Sequence, residues 1–294
     1  MIGWIAAAAA VGLASAPPEK AEHLLLCGGA EVFALDVPAA AAGRIDKLWT
    51  WRGRDRDDLP EAVRGRFGTT DDCRPLDGGA RVLISSSGGA VALVERPSGK
   101  VLWYARVPNA HGVERLPRNR IVAASSLSAA GNKLMLFDQD KPDAPVWETP
   151  LHSAHGVVWD AQRERLWALG FRELRCYRLQ DWDTDKPSLK LERSLPLPTD
   201  DGHDLSPVPG TADLIVTTAA TAHLFERDRK EFRPHPELAG REHIKGVSVH
   251  PTTGRLAFTQ AGPKQWWTPT LRLHGPAAEI SLPGERLYRV RWLP

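Results

Sequence analysis

Three histidines, His111, His155 and His203, stand at equivalent points of three successive segments that resemble one another. Each opens a short, mostly apolar run: His111-Gly-Val-Glu, His155-Gly-Val-Val and His203-Asp-Leu-Ser. Lys245 in Lys245-Gly-Val-Ser and Tyr288 in Tyr288-Arg-Val-Arg hold the same place in two later copies, and Asp71 (or Asp72) holds it in an earlier one. Neutral imidazoles converging from adjacent elements can hold one face of a divalent metal and leave its other positions open. A metal so held binds a carboxylate or hydroxyl oxygen and acidifies a neighbouring C–H or water. The expectation is a divalent metal (Mn, Ca, Mg and Zn are not distinguished) on His111, His155 and His203. Lys245 and Tyr288 are then acid/base candidates, and Asp71 an orienting group or further ligand. Arg74, Arg289 and Arg291 are candidates to clamp an anionic group, with Glu114 and Asp204 orienting ligand imidazoles. Two blander arrangements stand beside this one: a polar channel without metal, and histidines that only hydrogen-bond a neighbouring loop.

The elements that must position these residues follow from the spacing. The six starts, 71, 111, 155, 203, 245 and 288, are separated by 40, 44, 48, 42 and 43 residues. Each unit reads as a short strand, a Pro/Gly/Asp turn and a second strand, as in Arg120-Ile-Val-Ala-Ala-Ser or Asp213-Leu-Ile-Val-Thr-Thr. A third strand follows, such as Lys133-Leu-Met-Leu-Phe, then a fourth, such as Val101-Leu-Trp-Tyr-Ala. Four strands in roughly 40–50 residues is the period of a β-propeller blade. The last copy has a first strand only. His23-Leu-Leu-Leu-Cys, Ala30-Glu-Val-Phe-Ala-Leu and Lys47-Leu-Trp-Thr-Trp supply the missing three. The reading is an all-β, six-bladed propeller over 17–294, one domain, closed by joining N- and C-terminal strands in one blade. A two-sheet sandwich array does not explain why the last copy stops where the first sequence segment begins. In a propeller the first strand of each blade lines the central channel, so the six starts meet at one channel mouth. Trp49, Trp51, Trp103 and Trp147 recur at one blade position and read as packing between blades. Trp266 and Trp267, side by side in a loop near the same mouth, read equally as sugar-stacking groups or as packing.

Composition narrows the partners. With 38 Lys plus Arg against 36 Asp plus Glu the net charge is +2, which excludes a strongly basic nucleic-acid clamp. The 25 Gly and 24 Pro favour short elements over long helices. Residues 1–16, MIGWIAAAAAVGLASA, carry no charge and end in Ala14-Ser15-Ala16, the small-x-small pattern of a cleaved export signal. The run is short for a membrane span, so the expectation is an exported, periplasmic or extracellular monomer without a span after cleavage. Cys27, Cys73 and Cys176 are odd in number and widely spaced, which reads as buried free thiols rather than a disulfide framework.

The segments Asn109-Ala-His-Gly-Val-Glu, Gly156-Val-Val-Trp-Asp, Gly202-His-Asp-Leu-Ser-Pro-Val-Pro and Gly284-Glu-Arg-Leu-Tyr resemble those of a family of exported bacterial six-bladed propellers catalogued as a domain of unknown function. That resemblance implies the fold and no activity. The three-histidine set is also similar, in residue type and approximate placement, to the channel site of the oligogalacturonate lyases, seven-bladed propellers in which histidines and a Gln hold a divalent metal for β-elimination of a uronic acid. The implied function is metal-dependent elimination on a carbohydrate or another small polar ligand, and the alternative is a non-catalytic propeller that binds a glycan or a protein. Other propeller classes match poorly. Trp159-Asp160 lies in an inner strand, not where WD40 repeats carry that pair, and Ser98-Gly-Lys-Val-Leu-Trp resembles a quinoprotein repeat but occurs once.

Overall fold

The computed structural model describes residues 22–141 and 144–294. The expected export signal, 1–16, lies outside the described residues. Alternation dictates the layers. In the strand Arg81–Ser86, Val82 and Ile84 point into one apolar core and Leu83 into another, as the two-residue period of a strand requires. A strand buried on both faces must lie in a sheet sandwiched between two others. All six sheets are of this kind, and six apolar cores occupy the six sheet–sheet interfaces.

Each sheet has four antiparallel strands. The first blade runs Asp72–Leu76, Arg81–Ser86, Ala90–Glu95 and Val101–Arg106. The inner strands of the next four blades are Ala110–Leu116, Gly156–Asp160, Gly202–Pro207 and Ile244–Val249. The sixth blade takes its inner strand, Leu287–Trp292, from the chain's end and the other three, His23–Gly28, Val32–Asp36 and Lys47–Trp51, from its beginning. Leu24 pairs with Trp292 and Leu26 with Val290 across that join. Successive inner strands touch in a closed ring, so the protein is a six-bladed β-propeller, and closure removes the free sheet edge that an open stack would leave.

Helices are minor: Val37–Ala41 and Glu61–Arg64 span five and four residues. Among the described residues no helix is long and apolar enough to cross a membrane. The fourth-strand tryptophans pack onto the next unit. Trp103 meets Phe137 edge-on at 5.6 Å, Trp147 meets Tyr177 at 6.3 Å, and Trp51 meets Phe67 at 5.1 Å while its indole N–H donates to the Gly99 carbonyl. All three cysteines are buried free thiols.

Candidate functional site at the channel mouth

Backbone irregularity, not regular pairing, aims the six residues. Ala110 pairs with Ser125 and Gly112 with Ala124, which leaves His111 without a cross-strand partner. The same slip sets Lys245 free between Ile244 and Gly246, His203 between Gly202 and Leu205, and Tyr288 between Leu287 and Arg289. These are β-bulges, which bend a strand locally and redirect one side chain. Asp71 and His155 sit just before their strands, tied to the second strand by N–H bonds to Ser85 and Leu169 carbonyls. In four blades the residue two positions earlier is left-handed: Asn109 (φ 47), Ser153 (φ 47), Asp201 (φ 65) and His243 (φ 58). Asn, Asp and His tolerate that region better than most side chains do.

Beneath the mouth the channel is filled. Arg289, 0% exposed, donates to the backbone carbonyls of His111 (2.6 Å), His155 (3.1 Å) and His203 (2.6 Å) and lies 3.2 Å from Asp72. One guanidinium thus pins the three histidine backbones. Arg291 makes a bidentate pair with Asp204, 2.8 Å on each arm, and reaches Asp72 at 3.0 Å. Arg74 lies 3.1 Å from Glu114 and donates to the carbonyls of Val113 and Val157. Burial disfavours the Asp204 carboxylate, but Arg291 and Arg289 override it and hold this group well below the ordinary range. Burial raises Glu114 despite Arg74. Arg74, Arg289 and Arg291 therefore lie under the mouth, engaged with protein carboxylates and carbonyls, rather than facing a substrate as expected. Asp204 and Glu114 serve these arginines and not the imidazoles.

Above this floor opens a cavity of about 320 Å³ lined by Thr69, Asp71, Ser87, His111, His155, His203, Lys245, Trp266 and Tyr288. All six expected start residues reach it. The volume is at the lower end for small-ligand clefts, about 300–1,000 Å³. Trp266, 40% exposed, stands at its rim with its ring 6.0 Å from that of Tyr288. Trp267 is not among the lining residues and stacks under Arg286, 5.4 Å away. The sequence reading took Ser85 to Gly89, which includes Ser87, only as a Ser/Gly-rich connection near this face, and it passed over Thr69. Thr69 and Ser87 hydrogen-bond each other at 2.7 Å, and the Ser87 N–H donates to Asp71 at 2.5 Å. Their signal in the sequence was only the polar tip of a Ser-rich hairpin.

The ring nitrogens have distinct tasks. His111 Nδ1 lies 3.1 Å from the Asn109 carbonyl and His155 Nδ1 lies 2.9 Å from the Ser153 carbonyl. A carbonyl only accepts, so Nδ1 carries the proton in both rings and Nε2 is left as a base. The His155 ring also has the hydroxyls of Ser126 and Ser153 within 3.3 Å. His111 Nε2 stands 3.6 Å from Asp71. His203 differs: its Nε2 meets Lys245 Nζ at 2.8 Å, and its Nδ1 is buried without a partner. Burial pushes all three imidazoles down, His155 and His203 far down, the latter also under the Lys245 charge. They are neutral near pH 7. Burial likewise lowers the Lys245 ammonium, raises Asp71 against the pull of His111, and raises the Tyr288 phenol.

The rings cluster, with centroids 4.4 Å apart for His111–His155 and 5.5 Å for His155–His203. Their nitrogens do not form the expected triad. Among the described residues no three His, Cys, Asp or Glu groups are disposed to hold a metal ion. The Lys245 amine instead occupies His203 Nε2. What the mouth offers instead is a dry-walled set of proton acceptors and donors on a rigid ring: two imidazole bases, a lysine–imidazole pair, a carboxyl group and a phenol.

Comparisons with known proteins add the fold and a family. No curated protein matches the chain. Among solved structures, one titled "Crystal structure of Nidogen/Laminin Complex" superposes with a TM-score of 0.62 at 10% identity, covering 93% of this chain and 98% of that one, a likeness of fold alone. A family model does match, over residues 30–294, which takes in every strand but His23–Gly28. The chain therefore belongs to the family of unknown function DUF6528.

Proposed function

We propose that the channel mouth binds a small polyhydroxylated ligand of the carbohydrate class and moves protons on it. The observation that carries this reading is the single cavity into which all six inner strands send a polar, titratable side chain: Asp71, His111, His155, His203, Lys245 and Tyr288. Burial and bulges of this kind cost stability, and a channel that needed only filling has its filling one layer below. Hydroxyl groups of a sugar pair with both neutral imidazole Nε2 atoms and with the Thr69–Ser87 edge. The Trp266 ring at the rim offers a face for the apolar side of a pyranose. Proton removal from a C–H or hydroxyl falls to His111 or His155, each a neutral base with a fixed tautomer. Elimination on an acidic sugar remains the preferred reaction, because it needs one base, one acid and no further reagent. Asp71, raised by burial, and the Tyr288 phenol are the acids at hand.

The test is titration of the intrinsic fluorescence of the protein with neutral and acidic mono- and disaccharides, beside His155→Ala and Trp266→Ala. Saturable binding, weakened tenfold or more by His155→Ala, supports the reading. No saturation by any sugar at millimolar concentration overturns it. Elemental analysis of the same samples tests the metal alternative: one equivalent of divalent metal, lost in His155→Ala, would turn the imidazoles from bases into ligands.

A further inference from the structure

We propose that Lys245 is a nucleophile, and that the mouth condenses it with the carbonyl group of its ligand to form a Schiff base. The inference rests on the preceding reading of the mouth and names the substrate class more closely: an unhindered aldehyde or ketone flanked by hydroxyls, as in an open-chain sugar or a 2-oxo sugar acid.

The argument starts from what Lys245 does not do. Lys47 pairs with Glu31 and Glu285, and Lys133 with Glu148. Lys245 is more buried than either, at 8% exposure, yet it forms no ion pair among the described residues. Its hydrogen-bond partner is the imidazole of His203, at 2.8 Å. Asp201, the nearest carboxylate, stands 3.5 Å from the same His203 Nε2 and forms no ion pair with the amine, so the direct contact of Lys245 is an imidazole nitrogen. The position is built rather than incidental. Lys245 is a bulge residue, the next residue is Gly246, whose Cβ would stand 2.7 Å from the Arg289 Cα, and the strand is locked below by Arg291 on the Val247 carbonyl. The amine thus faces a ligand-sized cavity from a fixed base. Desolvation is one established way to make a lysine nucleophilic.

The step balances without an outside reagent. The Lys245 nitrogen lone pair attacks the carbonyl carbon as the C=O π pair moves to oxygen. His203 Nε2 relays one nitrogen proton to the alkoxide oxygen, giving the carbinolamine, and then the second to its hydroxyl, which leaves as water while the C=N bond forms. One amine and one carbonyl give one imine and one water. Once it takes a proton from solvent, the imine draws electrons from the adjacent carbon, and the neutral His111 and His155 stand across the cavity as bases for the proton on that carbon.

Borohydride trapping decides the matter on the intact protein. Glyceraldehyde and glyoxylate serve as carbonyl probes at low concentration, with peptide mapping by mass spectrometry. The expected result is one reduced adduct per chain, on Lys245, formed at least tenfold faster than on the exposed Lys100 or Lys264, and slowed in His203→Gln. Labelling of exposed lysines with Lys245 unmodified overturns the proposal. An alditol, which has no carbonyl, separates the two ideas. If it binds at the mouth while Lys245 stays unlabelled, the Schiff base falls and the binding reading stands. If Lys245 is labelled while no alditol or sugar binds reversibly, the nucleophile stands and the carbohydrate reading falls.

Discussion

Replacing Arg289 by Met removes a guanidinium of similar length and leaves the channel otherwise intact. The magnitude follows from its partners. Three carbonyls, those of His111, His155 and His203, lose a charged donor. Asp72 keeps Arg291 at 3.0 Å and a longer approach to Arg74 at 3.6 Å, and Asp204 keeps its bidentate pair with Arg291. One negative charge becomes uncompensated in a fully buried cluster. Breaking a buried ion pair on one side costs about 3–5 kcal/mol, and the least well satisfied of the carbonyls adds about 1 kcal/mol. The expected loss is about 4–6 kcal/mol, a large part of a total stability of about 5–15 kcal/mol. In a domain of this size that lowers Tm by roughly 10–20 °C. Urea unfolding followed by tryptophan fluorescence measures it, with Asp72→Asn/Arg289→Met as the control that removes the stranded charge and recovers part of the loss. A single variant that loses less than about 1 kcal/mol, or a double variant less stable than the single one, refutes the claim that this arginine neutralises the axis and pins the histidine backbones.

Gly156→Ala places a Cβ 2.6 Å from the Leu205 Cβ and 2.9 Å from its backbone N, so it should lose at least the 1–3 kcal/mol typical of overpacking, read by the same unfolding curves. Trp266→Ala, at an exposed rim position, should leave the melting midpoint within a degree or two of wild type while weakening any sugar titration severalfold. His235 accepts N–H bonds from Glu237 and Leu238 through Nδ1, and burial holds its pKa down to about 4. The unfolded chain therefore takes up this proton first, near pH 6.5. Stability should fall as pH drops from about 6.5 toward 4, with a slope approaching about 1.4 kcal/mol per unit for this group, and His235→Gln should flatten that part of the profile. Asp204→Asn should cost about 3 kcal/mol at pH 7. Its carboxyl is held below its unfolded value, so that stabilisation is present above about pH 4 and is lost as pH falls further; the variant should show less acid sensitivity in that range.

The ring was legible because propeller units repeat both in length and in turn chemistry. The lone first strand at Tyr288 and the three strand patterns before Asp71 complement one another, and they do share a blade. The membership of the mouth was legible for the same reason: equal register in six copies brings six side chains to one level. Their roles were not. Whether an arginine one or three residues further on faces the mouth or the axis depends on the bulges at His111, His203, Lys245 and Tyr288, and a bulge leaves little trace in residue type. The trace that exists is partial: a left-handed Asn, Asp or His stands two positions before His111, His203 and Lys245, but none before Tyr288. What periodicity did not show is the contact of Lys245 with His203, between residues 42 apart in sequence; it places both strands but says nothing about which nitrogen an amine will take. Thr69 was invisible because it belongs to no repeat, and Ser87 showed only as part of a Ser/Gly-rich connection.

The closing blade also sets an order of events in time. Arg289 and Arg291, the two arginines that span the axis, arrive on the last inner strand to be made. At synthesis rates of about 5–20 residues per second, the segment ending at Trp51 waits roughly 12–50 s for that strand. During this interval Asp72, and Asp204 once it is made, lack their main counter-charges, and the flank of His23–Gly28 that will pair with Leu287–Trp292 is an open edge, apolar at Leu24, Leu25 and Leu26. A nascent chain of this topology is thus committed to holding an adhesive strand until Leu287–Trp292 is made. Its yield in a cell should depend on how well that strand is shielded until the ring can shut.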